Sequence, residues 1–253
     1  EITTRLVGSE MCIRDRVYIE HRFLKKTIKI EDSKLTILPP DAPIEAGAEV
    51  YNATGRRVWN MLTNNLEMLK KAAKEGFAIP AINTQGGQYD IIRACTKAAQ
   101  EMRSPIILAH YVSTGAYSGN DWFVENAKWC ASKVDVPVSI HLDHGDGFPI
   151  CMEALRLGFT SIMIDGSTKP IEENAKMTND VLKVAKYFNV PVEAEIGELL
   201  RLDNGVPMEN KNIANPDEVR EFLSLCKPDT LAIGIGNAHG YYRGTPDIHL
   251  CLL

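Results

Sequence analysis

The chain has 253 residues, 45% hydrophobic and 24% charged, with a formal net charge of -5. These fractions argue against wholesale disorder, collagen and coiled coil, and leave room for one large domain or two small ones. A mildly acidic balance lacks the basic face of a phosphate-backbone binder, so no nucleic-acid partner is expected. No apolar run approaches the roughly 18 residues a membrane span needs, so no membrane partner is expected either. The opening residues Glu1 to Gly8 lack the apolar block of a signal peptide. The six cysteines are scattered, without a CxxC, as in a reducing compartment, and the expected location is cytoplasmic.

In chain order, residues 1–16 read as foreign to the rest. The string Leu6 to Arg16 (LVGSEMCIRDR) resembles translated sequencing adapter, and Cys251-Leu252-Leu253 looks like the start of a matching one. Residues 1–16 are therefore expected to be non-native, and the gene is expected to continue past His249. Residues 17–60 form an extension of unassigned role. Within it, Phe23 to Ile37 carries β-branched alternation suggesting a strand or hairpin, closed by Pro39-Pro40-Asp41-Ala42-Pro43.

From there the pattern becomes repetitive. Trp59, Leu62, Leu66, Leu69 and Ala72 fall at helical spacing up to Gly76, a C-cap signal, and Ala78 to Ile82 reads as a strand. Helices are then predicted over Ile91–Met102, Trp122–Ser132, Pro149–Leu157, Pro170–Phe188 and Pro216–Cys226. Each is followed by a short apolar strand: Pro105–Ala109, Val136–Leu142, Ser161–Asp165, Val190–Glu195 and Thr230–Ile235. Such alternation means βα units around a parallel sheet. Polar residues close nearly every strand: Asn83, His110, Asp143 with His144, Asp165, Glu195, and Asn237 with His239. A doubly wound sheet gathers ligand groups at one switch point, whereas a barrel draws them from many strand ends. The distribution favours an α/β (β/α)8 TIM barrel over residues 61–253, truncated after about six βα units.

His141-Leu142-Asp143-His144 is the densest ionisable cluster. An aspartate between two imidazoles suits an acid/base beside a metal ligand, although a solvent-facing strand end would look the same. His141 and Asp143 share strand parity, whereas His144 lies where the chain leaves the strand and its direction stays open. Glu193 and Glu195 also share one face. Turned inward they need a cation or a proton; turned outward they are solvated acids. Asp165, before Gly166-Ser167, suits either a ligand or a turn former. Gly234 to Gly240 could bring backbone N–H groups to an anion, with Arg243 nearby to pair with a phosphate.

The strings GFAIPAIN, MRSPIIL, VPVSIHLDHG, LGFTSIMIDGS, VPVEAEIG and IGNAHGYY, running from about Met61 to His249, resemble the class II, metal-dependent ketose-bisphosphate aldolases. The resemblance implies a barrel that cleaves fructose- or tagatose-1,6-bisphosphate to dihydroxyacetone phosphate and glyceraldehyde 3-phosphate. It implies one catalytic zinc ion, with room in the donor set for a second divalent or a monovalent cation. By motif, Asp143 would be the catalytic acid/base and His144 and His239 zinc ligands, with Asp165 and Glu195 at an alternate or second metal position. Asn83, Gly240 and Arg243 would bind substrate, Arg243 standing where many relatives have lysine. The expected partner is a phosphorylated sugar, and the full-length product is expected to be a homo-oligomer.

Three departures from the family pattern accompany the resemblance. The third zinc histidine, of an HGGSG-like motif, and the last phosphate loop are absent from the chain, so this fragment is expected to be inactive and poorly stable. The stretch Glu198 to Gly205 replaces a glycine-rich acidic loop. Tyr111 stands where relatives carry serine, with Ser113 and Thr114 nearby but out of register. The altered loop leaves open a non-catalytic sugar-phosphate-binding or scaffold barrel, and a metal aldolase acting on another substrate.

Overall fold

In a computed structural model the chain forms two compact units, Glu1–Asn60 and Met61–Leu253. The structure describes the backbone of residues 17–21, 26–31, 34–38 and 49–52 in the first unit. In the second it describes residues 62–197, 202–203, 206–207, 213–237, 245 and 248–249. The proposed non-native segment and Cys251-Leu252-Leu253 lie outside these residues.

The first unit holds a four-stranded sheet of β1 (Val17–His21), β2 (Lys26–Glu31), β3 (Lys34–Leu38) and β4 (Glu49–Asn52), in the order β3-β2-β1-β4. The hairpin predicted over Phe23 to Ile37 is present as β2 and β3, paired antiparallel from Thr27↔Leu38 to Glu31↔Lys34. The parallel pair β1 and β4 was not predicted.

The second unit begins with Leu62 in a parallel bridge to Val138 and Thr63 N donating to Val138 O at 2.9 Å. The helix foreseen from Trp59 therefore does not include Leu62 and starts later, as α1 (Asn65–Glu75). The reason is local: the Asn64 side chain accepts from Glu67 N at 2.9 Å, an N-cap that fixes the first turn. Gly76, at φ 74, closes the helix as foreseen.

Six parallel strands follow: β5 (Ala81–Asn83), β6 (Ile106–Tyr111), β7 (Val138–Gly145), β8 (Ser161–Ile164), β9 (Val192–Ile196) and β12 (Thr230–Ile233). Their spatial order is β12-β9-β8-β7-β6-β5, strictly sequential. A doubly wound sheet reverses direction at a switch point; this one never does. Between the strands run α2 (Tyr89–Met102), α4 (Asn120–Ala131), α5 (Phe148–Leu157), α6 (Ile171–Ala185) and α7 (Pro216–Leu225). Two further elements escaped the periodicity: α3 (Val112–Ser118), and the two-residue pair β10 (Leu202–Asp203) and β11 (Val206–Pro207).

The even-numbered residues of the central strands (Ile106 and Leu108, Val138, Ile140 and Leu142, Ile162 and Ile164) pack against the helices in one core with Phe123 and Phe159. Ala194 and Ile196 do the same with Phe222 in a neighbouring cluster. Odd-numbered residues therefore share the opposite, inner face. That parity removes His110 from the predicted row of strand-end polar groups. It lies on the helix side, its ring stacked on Phe123 with centroids 4.1 Å apart, and its Nε2 meets Asn120 Oδ1 at 3.1 Å. Among the described residues, no helix is long and apolar enough to cross a membrane.

Candidate metal and acid/base site

The inner face carries Ser139, His141 and Asp143 from β7, Ser161 and Met163 from β8, and Glu193 and Glu195 from β9. By alternation His144 would follow Leu142 into the helix layer. It does not, because β7 bulges. Leu142 pairs with Ile162 and Gly145 with Ile164, so β7 spends one more residue than β8 over that interval. His144 takes the left-handed conformation, φ 50, and its imidazole swings toward β8 and β9. Glycine is required next: a Cβ on Gly145 would stand 2.4 Å from Met163 O.

His144 Nδ1 lies 2.7 Å from Asp165 Oδ2 and 3.6 Å from Glu195 Oε2. The side chains of His144 and Asp165 are 24% and 22% exposed, that of Glu195 only 2%. Asp165 is a turn former, as one of its two readings had it, and also partners His144. Its Oδ1 accepts from Ser167 N at 2.9 Å and Ser167 Oγ at 2.7 Å, an Asx turn, while Oδ2 faces His144. The hydrogen bond to Asp165 lifts the His144 imidazolium to a pKa of about 9 against the opposing effect of burial, with Asp143 and Glu195 adding to the rise. Burial would raise Asp165, but the bonds from His144 and Ser167 outweigh it and hold the carboxyl below its usual range.

One donor atom from each of His144, Asp165 and Glu195 lies within 4.8 Å of the others. An imidazole and two carboxylates around one point, one carboxylate almost wholly buried, form a donor set suited to a divalent cation, which would take the place of the His144 proton. Asp143 lies beside the cluster. Its Oδ2 accepts from Asn83 Nδ2 at 2.7 Å, across the intervening strand β6.

Five of the eight predicted site residues are thus brought to the C-terminal end of the sheet: Asp143, His144, Asp165, Glu195 and Asn83. His239, Gly240 and Arg243 lie outside the described residues. The sequence offered no signal for Tyr111 as a neighbour of His144, yet the rings meet edge to face at 5.9 Å and 89°. Ser113 and Thr114 are absorbed into α3, where Thr114 Oγ1 donates to Tyr111 O at 2.7 Å. Nor was the division of Glu193 from Glu195 foreseen: Glu193 Oε2 faces a different imidazole, Nε2 of His141, at 3.7 Å.

A sequentially ordered parallel sheet whose strand ends pool one histidine and two carboxylates defines a βα-repeat protein with a metal-type site at the C-terminal edge of its strands. The sequence model described as "Fructose-bisphosphate aldolase class-II" matches residues 63–253. The chain belongs to the class II fructose-bisphosphate aldolase family. It is 40% identical over 187 residues to a fructose-bisphosphate aldolase of Thermus caldophilus, covering 73% of this chain and 60% of that protein. It is 34% identical over 194 residues to the D-tagatose-1,6-bisphosphate aldolase subunit GatY of Klebsiella oxytoca, covering 76% and 68% respectively. The crystal structure of the YdjI aldolase of Escherichia coli K12 superposes with a TM-score of 0.63 at 26% identity, over 76% of this chain and 66% of the other. The chain spans about three fifths of the length of the Thermus protein.

Proposed function

We propose that the chain is the larger part of a metal-dependent aldolase that splits a ketose 1,6-bisphosphate, fructose or tagatose, into two triose phosphates. The observation that carries this reading is the convergence of His144, Asp165 and Glu195 within 4.8 Å, beside an Asp143 already oriented by Asn83. On this reading the six sequentially ordered strands are the first six of a (β/α)8 barrel. The four described cysteines, half-buried or buried and all free, suit the cytoplasm as its place of work. As in the family pattern, the working assembly is a homo-oligomer.

In this mechanism His144 would hold a zinc ion, with His239 as the second ligand, and Asp165 and Glu195 would provide the alternate position. The ion, when bound, supplies Lewis-acid stabilisation of the negative charge that develops on the three-carbon phosphate half as the C3–C4 bond breaks. Asp143 takes the C4 hydroxyl proton in the cleavage direction and returns it in condensation. Asn83 donates to one carboxylate oxygen and leaves the other to the substrate. Arg243 pairs with a substrate phosphate and Gly240 contacts substrate through its backbone.

The test is cleavage of fructose- and tagatose-1,6-bisphosphate by the full-length gene product, before and after chelation and with zinc restored. Chelator-sensitive turnover of either sugar, lowered about a hundredfold or more by Asp143→Asn, is expected. Zinc binding without turnover of either sugar would indicate another substrate or a non-catalytic barrel. No zinc binding would overturn the reading.

A further inference from the structure

Beneath the metal-type cluster lies a second polar group that the proposed reaction does not use. His141 is 4% exposed and occupies the inner face of β7, one pleat below Asp143. Its Nδ1 is approached from two other elements: Asn65 Nδ2 of α1 at 3.2 Å and Ser161 Oγ of β8 at 3.0 Å. Asn65, itself 2% exposed, donates to Nδ1, so that nitrogen carries the lone pair and the ring proton sits on Nε2. Nε2 faces Glu193 Oε2 of β9 at 3.7 Å, within ion-pair range. Burial holds the imidazole below its ordinary pKa against the opposing pull of the Glu193 and Asp143 carboxylates.

The consequence lies in the spacing of β9. Glu193 and Glu195 are two residues apart on one face, and side chains so placed stand roughly 7 Å apart along the strand. Both are carboxylates of the same length, and either could serve a cation. What distinguishes them is the imidazole each one meets, His141 for Glu193 and His144 for Glu195. We propose that His141, clamped by Asn65 and Ser161, is a positioning residue that holds Glu193 one layer below the metal centre. It thereby sets the depth of Glu195 and keeps the second carboxylate out of the ligand set. The inference rests on the metal-centre reading above and names what maintains that centre.

The test uses Co2+ as probe, bound to the full-length gene product and read by its affinity and visible absorption. The variants are His141→Ala, Glu193→Ala, Glu193→Gln and the double His141→Ala/Glu193→Ala. Ser139→Ala, at an equally buried inner position that bonds Thr160 Oγ1 at 2.9 Å, serves as a packing control. The two single alanine variants are expected to weaken Co2+ by about tenfold and to change the spectrum, in the range typical of lost partners behind a metal's own ligands. The double variant is expected to be no worse than either single one, since the pair acts as a unit. Glu193→Gln keeps the side chain's length and an oxygen facing Nε2 and should stay within about threefold of the parent. Ser139→Ala should bind Co2+ as the parent does.

Unchanged affinity and spectrum in Glu193→Ala, beside a parent that binds, would overturn the positioning role and leave the metal reading intact. Equal losses in Ser139→Ala would also overturn it, by showing that any inner-face truncation suffices. A full-length parent that binds no Co2+ would sink the metal centre itself. Should His141→Ala fail to fold, the two Glu193 variants decide the matter alone.

Discussion

Asn83 of β5 donates a 2.7 Å hydrogen bond to Oδ2 of Asp143 on β7, reaching past the whole of β6. The two strands are not neighbours, and their registers are staggered: Asn83 is paired with Ala109 of β6 and Asp143 with Tyr111, two residues further along it, so the Asn83 side chain reaches forward as well as across. On the proposed reading, Asn83→Ala in the full-length product should lower kcat for sugar-bisphosphate cleavage by about tenfold to a hundredfold through misorientation of the carboxylate. KM and metal content should change little. Asn83→Asp should set a like charge against Asp143 and move the acid limb of the pH–rate profile upward. Steady-state kinetics across pH would show both effects; an unchanged kcat in Asn83→Ala would remove Asn83 from the catalytic arrangement.

Tyr111 presses its ring on the edge of His144 at 5.9 Å. Edge-to-face aromatic pairs contribute about 0.5–1.5 kcal/mol beyond burial, and here that energy restrains an imidazole already turned by a bulge. Tyr111→Phe should leave zinc affinity nearly unaltered. Tyr111→Ala should weaken it about threefold to tenfold, the same energy expressed as binding. Calorimetric titration with zinc distinguishes the two, and equal affinities would show that the contact is incidental.

The His144–Asp165 pair sets a pH dependence in the metal-free protein. His144 is raised from 6.5 to about 9, so its share of the stability is complete below 6.5 and fades as pH climbs through 9. Asp165 is lowered from 3.8, so its share is present above that value and disappears as pH falls through the depressed one. Urea midpoints in the presence of chelator should therefore decline on the alkaline side toward pH 9, and His144→Gln should flatten that limb. With metal the proton and the cation compete for the same imidazole. Zinc affinity should then rise with pH, by up to about tenfold per unit, until His144 has lost its proton. An affinity independent of pH would place His144 outside the ligand set.

Gly145 tests the bulge directly. An added Cβ would lie 2.4 Å from the Met163 carbonyl, a backbone atom that cannot step aside. Gly145→Ala should destabilise by about 2 kcal/mol or more. It should also weaken metal binding, because relief of the clash moves His144. At Gly76 a Cβ would meet nothing within 4 Å, and the only obstacle is a φ of 74. There, Gly76→Ala should cost about 1 kcal/mol and leave the site untouched. Chemical denaturation alongside metal titration compares them; equal penalties would refute the bulge as a site-forming device.

The α/β alternation around a parallel sheet and most of the candidate site were legible in the sequence, for a physical reason. Helix and strand periods are local, so Ile140 and Leu142 had to oppose His141 and Asp143, and Glu193 had to share a face with Glu195 whatever surrounded them. The cap at Gly76 is likewise local in origin, whereas the glycine after His144 is demanded by the Met163 carbonyl of the neighbouring strand. Parity, however, does not say which face is inner, and it holds only while a strand is regular. His110 was read as a strand-end polar group. The helix layer claims it instead, because Leu108 and Ile106, on the same side, pack against α2 and α4. His144 could not be aimed from its spacing because its direction comes from one extra residue counted against β8, a relation between strands that begins at the pair Leu142–Ile162 and closes at Gly145–Ile164. The two glutamates of β9 are chemically alike and equally placed in the sequence. Only the tertiary structure, by setting His141 before one and His144 before the other, assigns them to different layers.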